Sequence, residues 1–217
     1  MTNADLSLIH YHAPQTRSVA IRWLLAELGV PHELKVLNLK AGEHKLPRYL
    51  AINPMGKVPA IAHGGTVVTE TAAIAIHLAD AYPQAGLAPP IGDPDRGSYL
   101  RWIVFYGAAV EPALVDRALR REGGPASMLP YGTVDDAIAA LSGALARGPY
   151  LLGDRFSAAD VVIGSGIRYM LTFKLLPQTD VFTGYASRLA ERPALRQSLA
   201  EDAALIARLS GKAQSPA

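Results

Sequence analysis

The chain has 217 residues, 50% of them hydrophobic and 18% charged, and its formal net charge is +2. That balance suits one large globular domain or two small ones, and the charge is too small to mark nucleic acid or an anionic membrane as a partner. Cysteine is absent, which excludes disulfides, thiolate metal sites and a protein-thiol nucleophile.

Leu6-Ser7-Leu8-Ile9-His10 partly alternates and reads as a first strand. After the proline-broken link Tyr11–Thr16, the residues Ile21, Leu24, Leu25 and Leu28 recur at helical spacing and Gly29 closes the helix. Pro31 to Leu37 reads as a second strand, so the first two strands form a parallel pair. Asn38 to Lys45 is a polar loop, and Pro47 to Ile52 is at most a short helix. Val58-Pro59 leads into the apolar run Ala60-Ile61-Ala62; proline donates no backbone bond and belongs at a strand start or edge. Gly64-Gly65 reads as a hairpin turn, Thr66-Val67-Val68 as the returning strand, and Glu70-Thr71 as the head of a helix to Ala81. Thr71 is expected to cap that helix.

Pro83 to Pro94 reads as a linker, and only helices are expected beyond it. They span Asp93 to about Arg121 with a kink at Pro112, Thr133 to Arg147, Ser157 to about Leu175, Ala186 to Glu191, and Pro193 to Leu209. Glu122-Gly123-Gly124-Pro125 breaks the first of these, and a frayed tail is expected from Gly211 to Ala217. No apolar run approaches the roughly 20 residues of a membrane span. Met1-Thr2-Asn3-Ala4-Asp5 lacks the basic region of a secretory signal, so a cytoplasmic protein is expected.

Three motifs stand out. They are Asn53-Pro54-Met55-Gly56-Lys57-Val58-Pro59-Ala60, the pair Glu70-Thr71, and Tyr150-Leu151-Leu152-Gly153-Asp154-Arg155-Phe156-Ser157-Ala158-Ala159-Asp160. In the last, Ser157 and Asp160 have capping-box spacing, and Phe156 is placed to staple onto Val161. Their role is stability, at about 1 kcal/mol for the cap.

In this order and spacing the motifs resemble those of the cytosolic glutathione S-transferases: NPxGxVPxL, (E/Q)-(S/T) at the third helix, and YLLGDxFSxAD. The resemblance implies a thioredoxin-like β-α-β-α-β-β-α domain with a mixed sheet over residues 1–83, a linker over 84–93, and an all-α domain over 94–217 for the electrophilic substrate. It also implies a cis Val58-Pro59 bond whose Val58 N–H and C=O pair with the cysteinyl backbone of glutathione. By the same resemblance, Thr71 takes the γ-glutamyl carboxylate at the helix N-terminus and Glu70 its ammonium. Lys57 and Lys45 are the cations for the glycyl carboxylate, ahead of His44. For each of these residues the bland alternative is a strand-starting proline, a plain cap or a solvated lysine.

The group that stabilises the glutathione thiolate is open in the sequence. A free thiol titrates near 8.5, so a hydrogen bond or positive potential must lower it. Tyr11 stands where tyrosine-type members carry theirs, while Thr16, Arg17 and Ser18 stand at the head of the first helix. Packing between the domains would also explain Tyr11, and helix capping would also explain Thr16. Near Arg17, where cysteine-type members carry their thiol, there is no cysteine. Trp102, Phe105 and Tyr106 are candidates for an electrophile pocket between the halves, with core or dimer interface as the alternative.

The expected activity is transfer of glutathione to small hydrophobic electrophiles, with glutathione as co-substrate and no permanent cofactor. Glutathione-dependent disulfide reduction is a rival, since glutathione itself supplies the thiols, and a non-catalytic binding or scaffold protein is another. A metalloenzyme is not expected, because the six histidines include no H-x-x-x-H pair. A nucleotide-binding fold is not expected either, because no G-x-G-x-x-G follows the first strand. The resemblance implies a homodimer, for which the alanines 72, 73, 75 and 79 would permit close approach.

Overall fold

A computed structural model of the chain describes residues 7–121 and 123–212. The described chain divides into two compact units: one runs to Ala85 and takes back the chain from Arg192, and the other is Gly86–Glu191.

The first unit is built on a four-stranded sheet of order β2-β1-β3-β4. Its strands are β1 (Leu8–His12), β2 (Glu33–Val36), β3 (Ala60–His63) and β4 (Thr66–Thr69). β1 pairs parallel with β2 and antiparallel with β3, and β3 pairs antiparallel with β4. This is the mixed sheet that the resemblance implies. Gly64 and Gly65 take φ of 56° and 84°, as the two-residue hairpin requires. The expected first strand is displaced: Leu6 lies outside the described residues, and the strand continues through Tyr11 to His12. Polar His10 and His12 belong to the strand because its alternation turns them inward, where both are fully buried.

Helix α1 (Ser18–Leu28) and helix α3 (Thr71–Ala81) pack on each other and on the sheet, α1 against β1 and α3 against β3 and β4. α1 ends at Gly29, whose φ of 65° lets its N–H reach the Leu25 carbonyl. The short α2 (Pro47–Leu50) sends Tyr49 into a cluster with Ala13, Leu37 and Val58, with Tyr11 packed against it. Because side chains alternate along β1, Tyr11 serves the face opposite to that of His10 and His12. Of the alanines expected to form a contact surface, Ala75 and Ala79 are buried in the chain's own core, at 0% and 1% exposure. They face inward because α3 buries the stripe Ile74, Ala75, Leu78 and Ala79.

The last helix, α9 (Pro193–Lys212), packs along α1. Ion pairs hold it there. Arg192 donates from Nε and Nη2 to the two carboxylate oxygens of Glu27 at 2.6 and 2.7 Å, and Arg22 Nη2 donates to Glu201 at 2.7 Å. By its contacts, then, the chain from Arg192 on groups with the first unit, through α1. The expected tail begins inside α9, and its residues 213–217 lie outside the described ones.

The second unit is helical: α4 (Arg96–Phe105), α5 (Glu111–Ala118), α6 (Val134–Leu145), α7 (Ala158–Thr172) and α8 (Asp180–Ala190). A π turn, Tyr106–Val110, joins α4 to α5, and Pro112 follows at the head of α5. The kink expected at Pro112 therefore falls just before it, where the missing proline N–H disrupts the regular ladder. Helix α8 starts at Asp180, six residues earlier than expected, because Phe182, Tyr185 and Leu189 supply a buried stripe. Glu122, in the expected break, lies outside the described residues. Asp160 is fully buried and accepts from Ser157 N–H at 2.9 Å, Ser157 Oγ at 3.0 Å, Leu151 N–H at 2.9 Å and Tyr185 Oη at 2.9 Å. Phe156 meets Tyr150 edge-on at 5.4 Å. Among the described residues no helix is long and apolar enough to cross a membrane.

Candidate functional site

The sheet register collects the predicted residues of the first unit. Tyr11 pairs with Ala60, and Ala60 pairs with Thr69. The end of β1, the start of β3 just after Pro59 and the end of β4 just before Glu70 therefore share one edge of the sheet. The Val58-Pro59 bond is cis. Val58 and Pro59 are buried and Lys57 is exposed.

The chain before Pro59 is held from below. Tyr49 Oη donates to the Lys57 carbonyl at 2.6 Å, and Asn53 Nδ2 donates to the same oxygen at 2.9 Å. Asn53 also accepts from Met55 N–H at 3.0 Å. Burial, with Tyr11 nearby, pushes the Tyr49 phenol up to about 12, so it remains a donor. Gly56 has φ of 61°, and a Cβ there would stand 2.8 Å from the His44 carbonyl and from Lys45 Nζ. Glycine is thus required at that point of the motif. Lys45 Nζ donates to the Met55 carbonyl at 3.2 Å, which draws the exposed lysine onto the same loop.

Glu70 precedes α3 with φ of 69° and ψ of 123°, an uncommon conformation for a residue with a side chain. Its carbonyl accepts from Ile74 N–H at 2.9 Å. This corrects the expected cap: Glu70 occupies the N-cap position, Thr71 is the first helical residue, and no side chain caps the helix. Thr71 is half-buried and Glu70 exposed. The helix start therefore presents N–H groups without a side-chain acceptor, at the positive end of its dipole.

The remaining predicted residues surround the turn between β1 and α1. The Tyr11 ring lies 5.7 Å from the Tyr49 ring, and Lys35 Nζ lies 5.9 Å from the Tyr11 ring centre. Thr16 Oγ1 donates to the Ala13 carbonyl at 2.7 Å and accepts from Ser18 N–H at 3.2 Å. Arg17 is exposed and takes the N-cap position of α1 without a side-chain cap. Ser18 is fully buried, and its Oγ accepts from Ala13 N–H at 3.1 Å.

Trp102, Phe105 and Tyr106 lie in the second unit. Trp102 and Tyr106 are buried, at 5% and 8% exposure, and Phe105 packs on the cluster of Ala109, Ala113, Tyr131 and Ala137. The Tyr106 ring fills the space over Gly166, where a Cβ would stand 2.3 Å away. Trp102 and Tyr106 are thus buried within this unit, and Phe105 is half-buried.

The geometry matches known proteins. The family model for the glutathione S-transferase N-terminal domain covers residues 6–80, and that for the C-terminal domain covers 131–197. This chain belongs to the glutathione S-transferase family. Glutathione S-transferase GstA of Escherichia coli O157:H7 is 26% identical over 197 residues, covering 88% of this chain and 97% of that protein. Glutathione S-transferase APIC of Nicotiana tabacum is 28% identical over 179 residues, covering 77% of this chain and 83% of that protein. Among solved structures, a glutathione transferase from Methylococcus capsulatus superposes with a TM-score of 0.77 at 27% identity, covering 90% of this chain and 98% of that one. A glutathione transferase homologue from Sulfitobacter, solved with bound glutathione, gives 0.73 at 26% identity with the same coverage.

Sequence reasoning missed Tyr49 and Asn53 as supports of the Lys57 carbonyl. Asn53 stands in the motif, but its fixing of the chain four residues on becomes visible only in the fold. Tyr49 carried no signal beyond an apolar face on a four-residue helix.

Proposed function

We propose that the chain binds glutathione at this edge of the sheet and transfers it to small hydrophobic electrophiles. The observation that carries the proposal is Glu70, a residue with a side chain held at φ 69° before an uncapped helix, on the edge shared with Val58-Pro59. Backbone strain that nothing local relieves is commonly kept for function. In this proposal Thr71 and the α3 N-terminus take the γ-glutamyl carboxylate, and Glu70 takes the ammonium. Val58 pairs with the cysteinyl backbone, its neighbours fixed by Tyr49 and Asn53. Lys57 and Lys45 meet the glycyl carboxylate. Thr16 is assigned the sulfur, because its half-buried hydroxyl sits on the turn at the end of β1. Tyr11 is assigned to packing on Tyr49, and Arg17 to positive potential near the thiolate. The electrophile is assigned to the helical unit, and the protein to the cytoplasm as a homodimer.

Calorimetric titration with glutathione tests the clamp. Thr71→Ala removes one charge-assisted bond and is expected to weaken binding roughly 10- to 100-fold. No binding by the unaltered protein at millimolar glutathione would defeat the proposal and leave a scaffold role.

A further inference from the structure

A buried chain of hydrogen bonds runs from α9 to the turn before α1, entirely within the first compact unit. Asp202, on α9, lies with Oδ1 3.1 Å from His12 Nε2. His12 Nδ1 lies 2.8 Å from Ser18 Oγ, which lies 2.8 Å from Thr16 Oγ1. His12 and Ser18 are fully buried and Asp202 is 5% exposed, while Thr16 reaches the surface. Three polar side chains sealed in a core, 190 residues apart in sequence at the ends, exceed what closing one turn requires.

Proton bookkeeping decides what the chain can do. Each hydroxyl has one proton and two acceptor positions. The Asp202 carboxylate only accepts, so His12 Nε2 carries a proton toward it. With His12 neutral, Nδ1 is bare and takes the Ser18 proton. Ser18 Oγ then accepts from Ala13 N–H, at 3.1 Å, and the Thr16 proton is shared between Ser18 Oγ and the Ala13 carbonyl, which lies 2.7 Å from Thr16 Oγ1 and 2.9 Å from Ser18 Oγ. Thr16 accepts from Ser18 N–H, at 3.2 Å, and has one acceptor position left for an outside donor. With His12 doubly protonated the two bonds among His12 Nδ1, Ser18 Oγ and Thr16 Oγ1 reverse, while Nε2–H still donates to Asp202. Nδ1–H donates to Ser18, Ser18 donates to Thr16, and the Thr16 proton points outward.

We infer that Thr16, Ser18, His12 and Asp202 form a relay that takes the proton of the bound thiol into the core. The inference rests on the proposed placement of the glutathione sulfur at Thr16. The thiol S–H bond breaks and its proton passes to Thr16 Oγ1. The Thr16 proton passes to Ser18 Oγ, and the Ser18 proton to His12 Nδ1. The products are a thiolate that accepts from Thr16 and an imidazolium beside the Asp202 carboxylate, so charge and protons balance. Ser18, His12 and Asp202 act through Thr16 and are positioning residues.

Other charged groups set the field around His12. Arg22 on α1 approaches Asp202 Oδ1 with Nε at 2.9 Å, as an ion pair without a hydrogen-bonding angle. Its Nη2 is engaged by Glu201 of α9. His10, on the same strand with its ring centre 5.3 Å away, is held neutral by burial. Just after β2, Leu37 N–H donates to the His12 carbonyl at 2.8 Å, and Val36, paired with His12 on β2, is uncharged.

The test uses the full chain with glutathione. Nitrogen NMR of His12 is expected to show Nδ1 bare in the free protein and protonated in the complex. Ultraviolet absorbance of the bound thiolate is followed against pH in parallel. Asp202→Asn keeps an acceptor for Nε2–H but removes the charge that favours the imidazolium. Ser18→Ala cuts the chain and leaves the α9 ion pairs in place. Either variant is expected to raise the bound thiol pKa by about one unit, a tenfold loss of thiolate, with glutathione affinity unchanged at a pH where the thiol is protonated. A thiolate that forms in the unaltered protein while His12 Nδ1 stays bare would overturn the relay and leave the proposed function standing. So would folded variants with an unshifted thiol. If no thiolate forms in the unaltered protein, the sulfur placement itself fails and the relay falls with it. The NMR arm needs no substitution, so it decides the matter even if both variants unfold.

Discussion

Replacing Asp160 by alanine removes the acceptor for three buried groups, the N–H of Leu151, the N–H of Ser157 and the hydroxyl of Tyr185. The Ser157 hydroxyl can turn elsewhere, but those three cannot. An orphaned buried donor costs about 1–3 kcal/mol, so three cost roughly 3–9. Burial pushes the Asp160 carboxyl up, the sign of a desolvation cost that its loss relieves. Recovering a few kcal/mol of that cost leaves a net loss of about 3–5 kcal/mol. A simple cap, as the sequence led us to expect, would cost about 1 kcal/mol. Urea unfolding measures the difference as a shift in midpoint at unchanged slope. A thermal midpoint lower by about 10 °C should accompany it for a chain of this size. Asp136 offers an internal comparison: it makes the same pairing with Thr133 on α6, but at the surface. Asp136→Ala should cost clearly less. Equal losses at the two sites, or a loss at Asp160 below about 1 kcal/mol, would refute the reasoning.

Asn53→Ala deletes one of two donors to the Lys57 carbonyl and the acceptor for Met55 N–H, so stability should fall by about 2 kcal/mol in urea unfolding and glutathione affinity with it. Unchanged affinity would show that the Lys57 carbonyl needs no second support. Stability should also fall on acidification through pH 6.5. Burial lowers His10 well below its ordinary 6.5, with His12, His32 and Arg22 adding to the effect, and burial and His63 lower His77 against Asp80. Between the folded and unfolded values the unfolded chain holds more protons, so unfolding free energy rises with pH in that window and is flat above it. His10→Leu should reduce the slope between pH 5.5 and 6.5 by up to about 1.4 kcal/mol per pH unit, and an unchanged slope would mean that His10 titrates normally in the fold.

Much of the fold was legible in the sequence because local chemistry and tertiary structure agree. Gly64-Gly65 turns as its backbone freedom allows, Gly29 ends α1, and the spacing of Ile21, Leu24, Leu25 and Leu28 matches the buried face of α1. The motif from Asn53 to Ala60 marked the edge that now holds the candidate site. What escaped was long-range. The start of α8 was lost because Phe182 and Tyr185 read as helical only once there is a core to receive them. His10 and His12 gave no sign of lying inside, since a buried histidine looks like any other until its partners are known. The strain at Glu70 depends on the angle at which β4 meets α3, and residue type does not encode that. The pairing of α9 with α1 through Arg22, Glu27, Arg192 and Glu201 links residues 165 or more apart, beyond the reach of any periodicity.

The most direct test of thiol activation is the ultraviolet titration of glutathione bound to the unaltered protein. A site that activates the thiol should bring its pKa at least one unit below the free thiol's value of about 8.5, so that thiolate predominates at pH 8. A bound thiol that titrates at its free value would contradict activation at this site.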